Sequence, residues 1–199
     1  MPTTLRQATL AALELRPSTA AARFDRPAAD EHHPYYSAYI DRVPPGNLLD
    51  VLREQAAEVR DFFGALSPTQ ARFAYAPGKW TVQEVLGHLV DTERVFVYRA
   101  MSIAREDPAE LPGYSQDEWM APADFARREL AGLVAEWLVV RAATVVLAEG
   151  LPADAPLRRG IASGRPFSVR ALLYVPPGHV VHHLGLLRER YRRARDWPA

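Results

Sequence analysis

Six histidines, at positions 32, 33, 88, 179, 182 and 183, are the residues of this chain best suited to hold a metal ion. His179 and His183 are four apart. On an α-helix that spacing offsets two side chains by about 40° around the axis and about 6 Å along it. Both imidazoles can then reach one ion from one helix face, as in helical zinc sites of the His-Glu-x-x-His type. The glutamate of that motif is absent, because Val180 follows His179. His88 stands on a second predicted helix, beside its apolar stripe, and can supply a third imidazole across a bundle core, where facing helices commonly build metal sites. Three neutral imidazoles suit Zn²⁺, Ni²⁺ or Fe²⁺ and leave a position for water or substrate. The alternative for any one of these histidines is a hydrogen-bonded core side chain. His182 points about 100° away from His183 and lies outside the ligand set. His32 and His33 fall before the first predicted helix and are expected at the surface.

Two carboxylates neighbour His88 on its helix surface, Glu84 four residues before it and Asp91 three after. Either can accept a hydrogen bond from an imidazole or move a proton at a metal site. Glu84 reads more simply as the partner of Thr81 in a Thr-x-x-Glu capping box. Asp91 is therefore the candidate for proton transfer or imidazole orientation, with pairing to Arg94 as its structural alternative. Trp80 is expected to anchor the start of that helix. Tyr114 and Trp119 either line a substrate pocket or pack over the end of the bundle.

The elements that must carry these groups are helices. Leu48, Leu49, Leu52, Ala56, Val59, Phe62, Phe63 and Leu66 repeat at steps of three and four, predicting a helix over about 47–66 with Asn47 as N-cap. Val82, Val85, Leu86, Leu89, Phe96, Ala100 and Ile103 give a second over about 81–106. A third fits about 122–149, with Pro122 in its first turn, Gly150 beyond its end, and Ala131, Val134, Leu138, Ala142 and Val145 facing inward. A fourth fits about 168–195, capped by Ser168. Pro176 and Pro177 interrupt it, and each proline in a helix interior costs about 3 kcal/mol or more, so a kink or break is expected within 173–178, with regular helix resuming by His179. No segment alternates with period two, so a sheet is not expected. Residues 1–34 read as an N-terminal tail, and residues 35–199 as one helical bundle entered by an aromatic strap, Tyr35 to Pro45. The long linkers, about 67–80, 107–121 and 151–167, permit a crossover and can carry pocket residues.

Composition narrows the function. The 24 basic residues balance the 24 acidic ones, whereas nucleic-acid binders usually carry a basic excess, so no nucleic-acid partner is expected. The arginines at 188, 190, 192, 193 and 195 read as a solvated helix end that complements the helix dipole. With no cysteine there is no disulfide, thiolate zinc site or protein-borne thiol nucleophile. No uninterrupted apolar run approaches the about 20 residues that span a bilayer, and the first 17 residues make a poor secretory signal, so a cytoplasmic protein without a membrane partner is expected.

Four blocks occur in order along the chain: RPAADEHHPYYSAYIDRVPPGNLL, APGKWTVQEVLGHLVDTERVFVYRA, LPGYSQDEW and GHVVHHLGLLRERY. The second joins a Pro-Gly-x-Trp lead-in to a helix bearing one histidine, and the fourth places His-x-x-x-His on the last helix. With these blocks the chain resembles the DinB/YfiT-like superfamily. The resemblance implies an all-α four-helix bundle with up-down-down-up topology and a divalent metal (Zn, Ni or Fe) on His88, His179 and His183. It implies a small-molecule substrate and a metal-dependent enzyme, either a transferase using a low-molecular-weight thiol or a hydrolase. A homodimer is also implied. The alternative is a non-catalytic bundle that binds a metal or a small ligand. One departure from the family pattern is the Pro176-Pro177-Gly178 run, where relatives carry ordinary helix formers.

Overall fold

The structure, a computed structural model, describes residues 24–199. Four long helices carry the fold: α1 (Leu48–Gly64), α2 (Val82–Ala104), α3 (Leu130–Glu149) and α4 (Val169–Leu186). Three N-caps are those the sequence predicts. Asn47 accepts from Leu49 N, Ser168 accepts from Ala171 N, and Thr81 and Glu84 form a reciprocal capping box.

Cross-helix pairs fix the topology. Arg53 of α1 meets Glu149 and Gln55 meets Arg141, so α1 and α3 are antiparallel. Gln83 bonds the carbonyl of Arg128 just before α3, and Glu93 bonds Arg141, so α2 and α3 are parallel. His88 meets His179, while Gln55 bonds the carbonyl of Pro177 and Glu58 pairs with Arg188, so α4 runs against α2 and along α1. The order is up-down-down-up.

One polar cluster ties all four helices together inside the core. Arg141 (α3) and Glu93 (α2) are 0% and 1% exposed and pair at 2.6 Å. Thr144 donates to the other Glu93 oxygen at 2.7 Å, and Arg141 also donates to Gln55 Oε1 (α1) at 3.1 Å. Gln55 Nε2 in turn donates to the Pro177 carbonyl (α4) at 2.9 Å. The Arg141 guanidinium lies 4.5 Å from the Trp137 ring centroid, which adds a cation–π contact.

Several expectations need correction. α3 begins at Leu130, not near 122, and Pro122 sits inside a separate short helix, Gln116–Ala123. Its buried face is Leu133, Val134, Trp137, Arg141, Thr144, Val145 and Ala148, whereas Ala131 is exposed and Leu138 and Ala142 only half-buried. This helix is apolar all round, so periodicity misplaces its inner face. By length and mean hydropathy it would also qualify as a membrane span. Its buried Arg141 is instead ion-paired in the core.

A two-stranded hairpin, β1 (Arg159–Ala162) with β2 (Arg165–Ser168), packs at the base of α4. Its turn, Ser163-Gly164, has positive φ at both residues (54° and 67°), the geometry of a tight type I′ connection. The dipeptide Ser-Gly was the available signal.

α4 runs unbroken through Pro176 and Pro177, contrary to the expected break. The two prolines remove the donors for the carbonyls of Leu172 and Leu173. Against that cost, Leu172, Leu173, Val175, Val180 and Leu184 are all buried, at about 1.5–3 kcal/mol each. Burial wins, and the helix continues. After Leu186 the chain forms a π turn, Leu187–Tyr191, instead of regular helix to 195.

The aromatic strap crosses α4 at this point. A Cβ on Gly178 would lie 1.9 Å from the carbonyl oxygen of Tyr39, so only glycine admits the strap so closely. Upstream, Phe24 is buried, Tyr174 donates to its carbonyl at 2.6 Å, and Arg170 pairs with Glu31, whose carboxyl it holds down to about 2. Residues 1–23 of the expected tail lie outside the described residues.

Removing one partner of the buried ion pair leaves the other charge unmatched. Arg141→Met is expected to lower unfolding stability by about 3–5 kcal/mol in urea titration, and the double variant Glu93→Leu/Arg141→Met by less. A double variant weaker than the single one would contradict this. Gly178→Ala is expected to cost about 1–3 kcal/mol by overpacking, and unchanged stability would contradict the close approach of the strap.

Candidate metal centre

α2 and α4 are antiparallel neighbours, and this brings His88 to face His179 and His183. The uninterrupted helix through the prolines keeps the last two one turn apart. His179 Nε2 lies 3.0 Å from His88 Nε2 and 3.0 Å from His183 Nε2. One ligand atom from each of the three residues falls within 4.8 Å of the others. The ring centroids are 4.4–5.1 Å apart.

Hydrogen bonding among neutral rings satisfies this arrangement poorly, since Nε2 of His179 can donate one proton or accept one, and it faces two partners. A shared cation satisfies all three lone pairs at once. Three nitrogens about 2.0–2.1 Å from one ion, with angles between tetrahedral and octahedral values, are separated by about 2.9–3.4 Å. The two 3.0 Å edges fit, and the donor set could hold a divalent ion.

The electrostatics agree with a ligand role. Burial pushes His88 down to about 4 and His183 down to about 3, and neighbouring histidines add to both effects. His179, enclosed on every side, is held well below its ordinary value, again chiefly by burial. All three are therefore neutral at pH 7, the form that ligates metals. His88 and His179 are buried, while His183 keeps an exposed edge.

Residues that the spacing did not single out support these rings. Thr92 Oγ1 lies 3.5 Å from His88 Nδ1 and 3.0 Å from the Tyr114 hydroxyl. This chain orients the ring nitrogen that faces away from the cluster. Thr92 stands four residues after His88, so helical spacing could have found it. Trp80 packs against His88 with centroids 4.8 Å apart, and Tyr39 of the strap packs against His179 at 5.3 Å. Tyr114 and Trp119 touch each other at 4.9 Å, and through Thr92 the tyrosine belongs to the site's periphery.

The other candidates are not among the three converging rings. His182 packs on Tyr39 at 5.6 Å and edge-on to the His183 ring at 5.0 Å, outside the group of three. Asp91 lies half-buried, 3.9 Å from Arg94, which itself reaches Glu136 at 2.6 Å. Burial raises the Asp91 carboxyl above its ordinary value, with Arg94 opposing. Glu84 is committed to its capping box. His32, expected at the surface, is buried with Nδ1 3.1 Å from the His33 carbonyl, and His33 accepts from Tyr35 N. Of the terminal arginines, Arg188 pairs with Glu58 and Arg192 lies over Phe62 at 4.4 Å.

Among solved structures, that of YfiT from Bacillus subtilis matches with a TM-score of 0.66 at 21% sequence identity, covering 73% of this chain and 85% of that one. That protein is described as a probable metal-dependent hydrolase with an unusual four-helix bundle topology. At this identity the likeness speaks to the fold. No curated protein matches the chain. The sequence pattern of the DinB superfamily matches residues 51–187, a stretch that begins in α1, ends just past α4 and takes in all three clustered histidines. The chain belongs to the DinB superfamily.

Proposed function

We propose that this chain is a metal-dependent enzyme acting on a small molecule, with one divalent cation held by His88, His179 and His183. The observation that carries the reading is the convergence of three neutral Nε2 atoms about a common point, with two 3.0 Å edges. Bound there, a divalent ion supplies Lewis acidity, which hydrolysis and thiol transfer both use.

The protein's own groups have defined parts in this reading. Thr92 and Tyr114 hold the His88 ring in its ligating orientation, and Tyr39 and Trp80 exclude water from two sides of the cluster. Asp91, one turn along α2 from His88 and raised by burial, accepts or returns a proton at the edge of the site. Its role is tested by Asp91→Asn, which is expected to lower turnover with bound metal retained.

Hydrolysis is the reaction class favoured by likeness to YfiT. In a thiol-transfer version the thiol comes from a low-molecular-weight cosubstrate, because the chain has no cysteine. Zinc, nickel or iron as the ion, a homodimeric assembly and a cytoplasmic location belong to the same reading and rest on the family resemblance and the composition.

The test is metal analysis of native protein with hydrolysis and thiol-transfer screens on the same samples. His88→Ala, His179→Ala and His183→Ala are each expected to reduce bound metal at least about tenfold, because each removes one coordinate bond of three. His182→Ala is expected to retain it. Equal occupancy in all four variants would contradict the ligand assignment, and metal retention without turnover in either screen would favour a non-catalytic metal-binding bundle.

A further inference from the structure

A half-open cavity of 430 Å³ begins at the exposed edge of His183. Its walls include Trp80, Tyr75 and Tyr191, and its charged groups are Lys79, Arg190 and Asp117. Two cations against one carboxylate leave the cavity with a net positive charge when His183 is neutral.

The two backbone segments that carry the cations are held in place. Ala76-Pro77-Gly78-Lys79 forms a type II turn, with Gly78 at φ 73° and Lys79 N donating to the Ala76 carbonyl at 3.2 Å. On the opposite wall the π turn closes with Arg192 N donating to the Leu187 carbonyl at 3.0 Å, an extra residue per turn compared with an α-helix. The two segments are joined where Tyr191 Oη donates to the Trp80 carbonyl at 2.8 Å. Lys79 and Arg190, both exposed, are the chain neighbours of these two bonded residues, so one hydrogen bond brings the segments that carry them to the same pocket.

Neither cation has a carboxylate partner among the described residues, whereas Arg188, on the same turn, pairs with Glu58. Lys79 is also the single lysine of the chain, beside 23 arginines. A lysine provides a compact charge with three rotatable donors, suited to an anion that arrives and leaves, where an arginine fork favours fixed planar pairing.

We infer that this cavity binds the anionic group of a small substrate, a carboxylate or a phosphate, between Lys79 and Arg190, with the remainder of the molecule along Trp80 and Tyr191 towards His183. The volume lies at the small end of the range for metabolite-sized pockets, about 300–1,000 Å³. This rests on the metal reading only for what stands at the far end of the pocket, because the anion is held by the protein's own cations.

The test uses the whole metal-loaded protein. Reductive ¹³C-methylation marks Lys79 and the N-terminal amine alone and keeps their charge. Benzoate, phenyl phosphate and neutral benzamide serve as probes. Their binding is followed through the Lys79 methyl resonance and by calorimetry on unlabelled wild type, Lys79→Gln and Arg190→Gln. The expected result is a saturable shift with at least one of the two anions and none with benzamide. Each variant is expected to lose about tenfold or more in anion affinity, as for loss of a charge-assisted hydrogen bond. The tighter of the two anions identifies carboxylate or phosphate as the group recognised. No saturable shift with either anion, benzamide bound as well as the anions, or wild-type affinity in both variants would overturn the proposal. Metal content of the same samples separates the two readings. Native protein without metal defeats the three-histidine assignment whatever the anions do, and unchanged anion affinity in metal-loaded variants defeats the pocket alone.

Discussion

The buried pair between Glu93 and Arg141 is the constraint on which the arrangement of the bundle depends. Two charges taken out of water cost several kcal/mol each unless their mutual attraction and additional hydrogen bonds offset the loss. Here Thr144 and Gln55 add hydrogen bonds to the pair, and every member comes from a helix that must hold one axial position for the bonds to form. An apolar core tolerates sliding of one helix against another, but a cluster satisfied in a single register does not. The pair therefore locks α2 to α3, and Gln55 extends the lock through α1 to the Pro177 carbonyl of α4. Pro177 is two residues before His179, and Glu93 is five after His88. The axial register that closes the ion-pair cluster is the one that brings the histidines face to face.

The histidine cluster has the opposite energetic character. Three imidazoles packed within the core are kept neutral by desolvation, and their convergent nitrogens have too few protons and lone pairs in the right places to satisfy one another. The surroundings hold the rings in this arrangement. Thr92 and Tyr114 stand behind His88, Trp80 lies on its face, and Tyr39 is pressed onto His179 by a strap that only Gly178 lets through. The Pro176-Pro177 run leaves the helix intact, and the glycine that ends it gives the strap its seat.

Much of this was legible in the sequence. Caps at Asn47, Thr81 and Ser168 and the apolar stripes of α1 and α2 mark elements whose local preferences agree with their tertiary setting. The proximity of His179 and His183 could be read because four-residue spacing on a helix has a fixed geometric meaning, while their meeting with His88 depends on how α2 packs on α4. The illegible parts are those decided by tertiary contacts. α3 is apolar on every side, so no period reveals that Arg141 faces inward and Ala131 outward. The proline penalty is a local quantity, and it was outweighed by burial along α4 that no local rule counts. The Glu93–Arg141 pair joins residues 48 positions apart, with no spacing to betray it. The hairpin turn at Ser163-Gly164 did carry a signal, in a linker otherwise without alternation.

The central claim is that the three imidazoles share one ion. The most direct measurement is X-ray absorption spectroscopy at the metal edge of protein purified without added metal. The account predicts a first shell containing three imidazole nitrogens at about 2.0–2.1 Å, with the multiple-scattering signature of the rings. A first shell of oxygen ligands alone, or one with a single imidazole, would contradict it.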